Sequence, residues 1–123
     1  MKTVIRTGSV EGFFKRGREI ARLADQGKAI PAERAITYED PEDLARILTA
    51  GKIALFRTIK ERPGSITEIA ARVKRDRSAV KRDIDDLEFA GLVCVEEKIH
   101  PGHGRLKEVR ATAERVLLEA VFA

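Results

Sequence analysis

The stretch Ser65-Ile66-Thr67-Glu68-Ile69-Ala70-Ala71-Arg72-Val73-Lys74-Arg75-Asp76-Arg77-Ser78-Ala79-Val80-Lys81-Arg82-Asp83-Ile84-Asp85-Asp86-Leu87-Glu88-Phe89-Ala90-Gly91 decides how this chain folds. It follows the breaker Pro63-Gly64, and Ser65 stands three residues before Glu68, the spacing at which the two side chains satisfy each other's free backbone donors. Ile66, Ile69, Ala70 and Val73 then recur on one helical face. Lys74-Arg75 ends that pattern, Asp76 is placed to cap a second helix with Val80, Ile84 and Leu87 as its buried stripe, and Gly91 closes it at a left-handed position. Two short helices across a polar turn are the pattern of a helix-turn-helix. At about 100° per residue, Ser78, Arg82 and Asp85 lie opposite the stripe, with Arg77 and Lys81 on one flank.

The charge order points the same way. Between positions 74 and 82 the basic residues Lys74, Arg75, Arg77, Lys81 and Arg82 face one acid, Asp76, a balance equal to the +4 of the whole chain. The helix then ends in Asp83, Asp85, Asp86 and Glu88. The helix dipole disfavours cations at the amino end and anions at the carboxyl end by roughly 0.3–1 kcal/mol per charge near a terminus. A polyanion at the amino end reverses the sign of that penalty, and a nucleic-acid backbone supplies one. The bland reading is a solvated face with chance charge order.

Downstream, Leu92 to Glu97 is a β-rich run and Val109 lies in a second, with His100-Pro101-Gly102-His103-Gly104 between them as a loop. A hairpin directly after a recognition helix makes a wing, on which Arg105, Lys107 and Lys98 are candidates for backbone phosphates or a minor groove. In the tail from Ala111 to Ala123, Ala and Glu favour helix, whereas Val116-Leu117-Leu118 and Val121-Phe122 suit a strand; the reading leans to a closing strand.

Upstream, Ser9 can cap a helix to about Gln26, ended by Gly27, with Val10, Phe13, Phe14, Ile20, Leu23 and Ala24 at helical spacing. Gly12 and Gly17 inside it each cost about 1 kcal/mol relative to Ala. Thr3 to Arg6 and Ala35 to Tyr38 are candidate strands on either side of that helix. Asp40-Pro41-Glu42-Asp43 opens a helix with apolar Leu44, Ile47 and Leu48, and a support helix follows from about Ala50 to Glu61, expected to bury Ile53, Leu55, Phe56 and Ile59. Through position 48 there are nine basic and eight acidic residues, a poor surface for DNA. The expected organisation is therefore a mainly α, α+β winged helix-turn-helix over 49–123 with an amino-terminal helical extension over 1–48. The extension's stripe of Val10, Phe13, Phe14, Ile20 and Leu23 is a candidate contact for a second copy or another protein, against the alternative that it folds back on its own domain. Phe89, opposite the core stripe of its helix, is a further candidate contact.

The motif residues resemble a family. Leu48-Thr49 leading into a helix, Pro63-Gly64-Ser65-Ile66 with Glu68-Ile69-Ala70, Arg75-Asp76, Val80, Arg82-Asp83, Leu87-Glu88 and Gly91-Leu92-Val93 are similar to the pattern of winged-helix transcriptional regulators of bacteria and archaea with a MarR-like wing, which commonly act as antitoxins. About 50 residues carry the resemblance, and Lys74 stands where the family's turn has Gly. The resemblance implies DNA binding and, as in members encoded beside a TumE-type toxin, binding of a small toxin.

Composition sets limits. A chain of 123 residues with 43% hydrophobic residues suffices for a modest core, and it has no long uncharged apolar run, so a cytoplasmic protein without membrane contact is expected. A single cysteine, Cys94, permits no internal disulfide. Five Phe, one Tyr and no Trp leave little material for stacking single-stranded bases. Nucleotide-binding loops, paired cysteine motifs and His-Glu-x-x-His are absent from the sequence; His100, His103 and Cys94 lack a matching second pair of ligands, and the acids at 83, 85, 86 and 88 do not converge, so neither metal, cofactor nor catalysis is expected. The functional expectation is a dimeric, sequence-specific reader of double-stranded DNA, acting as an antitoxin that represses its own operon and neutralises a partner toxin. Ser78, Lys81 and Arg82 would enter the major groove, Arg75 and Arg77 hold phosphates, and Arg105 with Lys107 anchor the wing. The rival classes are a stand-alone repressor without a toxin, a protein-interaction module with vestigial DNA binding, and a duplex-RNA binder.

Overall fold

The computed structural model of the chain describes residues 2–30, 33–47, 49–102 and 104–122. In chain order its elements are β1 (Lys2–Thr7), α1 (Val10–Asp25), β2 (Glu33–Tyr38), α2 (Pro41–Ile47), α3 (Ala50–Glu61), α4 (Ile66–Val73), α5 (Arg77–Phe89), β3 (Val93–His100), β4 (Gly104–Ala111) and β5 (Arg115–Glu119). They form two compact units, one running to Arg46 and resumed from Arg115 onward, the other from Ile47 to Glu114.

The second unit is built from three capped helices and a hairpin. Thr49 caps α3 by accepting the Lys52 N–H at 3.2 Å, and Ser65 caps α4 by accepting the Glu68 N–H at 3.1 Å. The stripes expected to be apolar meet in one core: Leu55 and Ile59 of α3, Ile69 and Ala70 of α4, and Val80, Ile84 and Leu87 of α5 are all buried. Full burial of each such large side chain contributes roughly 1.5–3 kcal/mol. Ile53, expected in this core, is instead 37% exposed, because two residues before Leu55 it lies about 200° around α3, on the side away from Leu55 and Ile59. β3 and β4 pair antiparallel from Val93↔Ala111 to His100↔Gly104, and their base is sealed by Val93 and Val109. Gly64 adds a short third rung: its N–H donates to the Val109 carbonyl at 3.3 Å, and the Val109 N–H donates back at 2.7 Å. A Cβ at Gly64 would lie 2.8 Å from Arg72 Nη2, so a side chain there would displace the end of Arg72 from its pairing with Glu68. Three helices and a β-hairpin in this order make the unit a winged helix-turn-helix.

The first unit carries more strand than a helical extension would. β1 runs parallel to β2 on one side and to β5 on the other, in the order β2-β1-β5. Val4 and Ile5 of this central strand are buried, as expected for a parallel strand covered on both faces. The strands anticipated at Thr3 to Arg6 and Ala35 to Tyr38 are present, each two residues longer. The tail does form a closing strand, but it closes this sheet and not the winged unit with which 49–123 grouped it. Its alternating Val116 and Leu118 are half-buried, and residues Arg115 to Glu119 align with Lys2 to Arg6. Val121 is tied in by two hydrogen bonds with the Thr7 hydroxyl, at 2.8 and 3.3 Å. Sequence neighbours could not reveal a strand pairing across more than a hundred residues. Ser9 caps α1 by accepting the Gly12 N–H at 3.0 Å, and Gly27 ends it at φ 66. Leu44 of α2 is buried, whereas Leu48, expected beside it, lies outside the described residues.

Candidate nucleic-acid interface

The turn between α4 and α5 is tight. Lys74 takes the left-handed conformation at φ 55, ψ 46, with its N–H and that of Arg75 donating back to the Ala71 and Ala70 carbonyls. That conformation accounts for the glycine that the resembling family uses at this position. Asp76 then caps α5, one carboxylate oxygen accepting from the Ser78 and Ala79 N–H groups at 3.0 and 3.4 Å. Two of the helix's free amide donors are thus already satisfied, so an approaching phosphate meets side chains here instead of bare backbone.

The cations of this stretch are in different states. Arg75 donates from Nη2 to Asp83 Oδ2 at 2.8 Å, with both side chains only partly exposed and its Nη1 buried without a hydrogen-bond partner. This links the residue before the cap to the second turn of α5 and makes Arg75 a brace of the motif. Arg77 is exposed and donates from Nε to the Thr67 hydroxyl at 3.1 Å, tying α5 to α4. Lys81 pairs with Asp85 at 2.9 Å on the exposed surface. An exposed pair of this i,i+4 type contributes only about 0.3–0.5 kcal/mol, and a phosphate can exchange with the carboxylate. Arg82 is exposed and, among the described residues, has neither an ion pair nor a side-chain hydrogen bond. With Val80, Ile84 and Leu87 buried, helical geometry puts Ser78, Arg82, Asp85 and Phe89 on the outward ridge, and Phe89 is 90% exposed. Arg82 is therefore the uncommitted charge at the centre of that ridge.

In the wing, alternation puts Arg105 and Lys107 on the face that carries Val93 and Val109 at its base, beyond the point where the core ends. Arg105 lies 3.8 Å from Glu97 with both groups well exposed, and Lys107 is exposed with no ion pair among the described residues. Lys98 is on the opposite face. It meets Glu108 at 3.1 Å, and Arg110 meets the same carboxylate at 2.7 Å. The hydrogen bonds from Arg110 and then Lys98 hold the Glu108 carboxyl below the usual glutamate range, and Glu108 in turn raises the Arg110 guanidinium. Lys98 is thus committed within the hairpin. Position alone could not reveal this, because it depends on cross-strand register. His103 lies outside the described residues, and among those described there is no group of three potential metal ligands. No described helix is long and apolar enough to cross a membrane.

The contact residues expected on α1 divide into two groups. Val10, Phe13, Phe14 and Ile20 are each about half exposed, Leu23 is intermediate, and no residue of α1 is buried. Phe13 and Phe14 stack edge to face at 5.6 Å, yet Phe13 and Ile20 turn toward a cleft beside the sheet while Phe14 lies on the outward flank.

A search of curated proteins finds no match to the chain. Among solved structures it is similar to one described as a possible transcriptional regulator from Methanosarcina mazei Go1, at 18% identity over 62% of this chain and 66% of that one, with a TM-score of 0.49. It is also similar to the transcriptional regulator SlyA, at 24% identity over 81% of this chain and 62% of that one, TM-score 0.46. A third is the transcriptional regulator BldR from Sulfolobus solfataricus, at 18% identity over 87% of this chain and 70% of that one, TM-score 0.48. The chain spans just under two thirds of the length of the first two. Residues 47–118, which include the whole winged unit and more than half of the chain, match the HVO_A0114 family, and the chain belongs to that family.

Proposed function

We propose that the chain is a sequence-specific regulator that binds double-stranded DNA through its winged unit. The observation that carries this reading is the outward ridge of α5, where Ser78 and the unpaired Arg82 stand exposed on a helix whose opposite side is locked into the core. Ser78, Lys81 and Arg82 enter the major groove. Arg82 is the residue suited to bidentate contact with a guanine, and Lys81 exchanges Asp85 for a phosphate. Arg77 contacts backbone at the helix start, Arg105 and Lys107 anchor the wing, and Arg75 keeps the turn in shape through Asp83. Titration of labelled promoter DNA by fluorescence anisotropy at two salt concentrations tests the reading. Salt-sensitive binding that prefers the promoter over random duplex is expected, and salt-insensitive or absent binding rejects it. A duplex RNA that competes as well as DNA would move the protein to the RNA-binding class.

The reading extends to a dimer spanning two half-sites, with the exposed Val10 and Phe14 flank of α1 meeting protein. The family resemblance adds a small toxin as the partner of the same unit, which would make the chain an autorepressing antitoxin. Sedimentation of the chain alone, and co-purification with the product of the adjacent reading frame, separate these two uses.

A further inference from the structure

The first unit holds a cleft of about 330 Å³ between α1 and one face of its sheet, in the size range of small-ligand sites. Phe13, Ile20, Ile30 and Ala35 supply apolar wall, and Arg6 and Arg16 supply the charge. Register sets Arg6 beside Thr37 of β2, and Arg16 donates from Nη2 to the Thr37 hydroxyl at 3.2 Å. Neither guanidinium has a carboxylate within ion-pair distance among the described residues. Glu33, also on the cleft wall, is paired with Lys2 at 3.8 Å, and Glu119 aligns with Arg6 without an ion pair. Arg6 Nε is shielded from water and has no hydrogen-bond partner. Two uncompensated cations against an apolar wall are an arrangement that an anion with a hydrophobic body completes.

Gly17 gives a way to fill the cleft. A glycine inside a helix weakens it, and glycine is usually kept where a neighbour comes too close for a side chain. At Gly12 a Cβ would meet Ser9 Oγ at 3.3 Å, which is a packing reason; at Gly17 a Cβ would meet nothing within 4 Å. Gly17 lines the cleft, so a side chain placed there has room to extend into it.

We propose that this cleft binds a small amphipathic carboxylate, its apolar body against Phe13, Ile20 and Ile30 and its carboxylate between Arg6 and Arg16. This site is confined to the first unit and stands independently of DNA binding by the second. Octanoate, with octan-1-ol as its neutral counterpart, probes it in methyl-labelled full-length protein. Octanoate should shift the Ile20 and Ile30 methyl resonances saturably and leave Ile59, Ile69 and Ile84 of the winged unit unmoved. Octanol should bind at least roughly tenfold more weakly, the scale of a lost charge-assisted pair. Arg16→Gln should remove that preference, while Arg16→Lys retains most of it. Gly17→Leu, which fills the cleft and favours the helix, should abolish binding with the Ile5 and Ile36 methyls still reporting a folded sheet. Equal binding of octanoate and octanol, undiminished binding to the Gly17→Leu protein, shifts spread over the winged unit, or no shift at all would each overturn the proposal.

Discussion

α5 and α1 are both capped by the residue preceding them and both carry an apolar stripe, yet α5 buries Val80, Ile84 and Leu87 while α1 buries nothing. Periodicity announces that a helix has an apolar side; what lies opposite decides whether that side becomes core. α5 meets α3, α4 and the wing base, and its free surface carries cations at the amino end, acids toward the carboxyl end and the exposed Phe89. α1 leaves its stripe half in water, divided between a cleft that holds two arginines and an outward flank with Phe14. The winged unit thus displays Arg82 outside a closed core, whereas the sheet unit leaves apolar side chains of α1 half in water.

The sharpest way to break this contrast is to cut each stripe. Ile84→Ala should cost about 2–5 kcal/mol in urea unfolding, by lost burial and a residual cavity. Phe14→Ala should stay within about 0.5 kcal/mol, as for other exposed positions. Equal losses would make α1 part of a core and end the comparison. Next in size, Arg82→Ala should weaken promoter binding by about 1–3 kcal/mol and random duplex much less. Asp83→Ala should act on the fold first, leaving the partly buried Arg75 without its acceptor at a cost of about 1–3 kcal/mol, read as a lower urea midpoint before any DNA is added. A purely DNA-directed loss from that variant would return Arg75 to the phosphate-binding set.

Lys74→Gly should gain about 0.5–1 kcal/mol by relieving the left-handed backbone, since φ 55 is a conformation that glycine adopts without a Cβ clash. The smallest effect is at the wing. The folded Glu108 carboxyl is lowered, so its pairing with Arg110 and Lys98 contributes above the unfolded glutamate range and is lost as pH falls through the folded value. The Glu108 side-chain carbonyl resonance should titrate below that of an ordinary glutamate, and an ordinary midpoint would remove the network.

Much of the winged unit was legible because its signals are local. Ser65 and Asp76 each cap the helix they precede, as Ser9 does in the first unit, and the stripes of α4 and α5 are spaced within a few residues. The β2-β1-β5 sheet was only half legible: its strands were anticipated, the tail's as a closing strand, but the pairing of the tail with β1 depends on a contact between opposite ends of the chain. The candidate site divides along the same line. That Ser78 and Arg82 face outward follows from helical geometry, whereas the commitments of Arg75 to Asp83 and of Lys98 to Glu108 cross a turn and a strand pair. Sequence spacing shows which cations a helix displays, and only the fold shows which are already engaged.

The most direct test of that distinction is fluorescence anisotropy with promoter and random duplexes between about 50 and 200 mM salt, comparing the native chain with Arg82→Ala. An exposed, unpaired Arg82 reading a base predicts that the variant loses its preference for the promoter while random-duplex affinity falls little. Equal loss on both duplexes would reduce Arg82 to a phosphate contact, and unchanged binding to both would contradict the assignment of the α5 ridge as the DNA-reading surface.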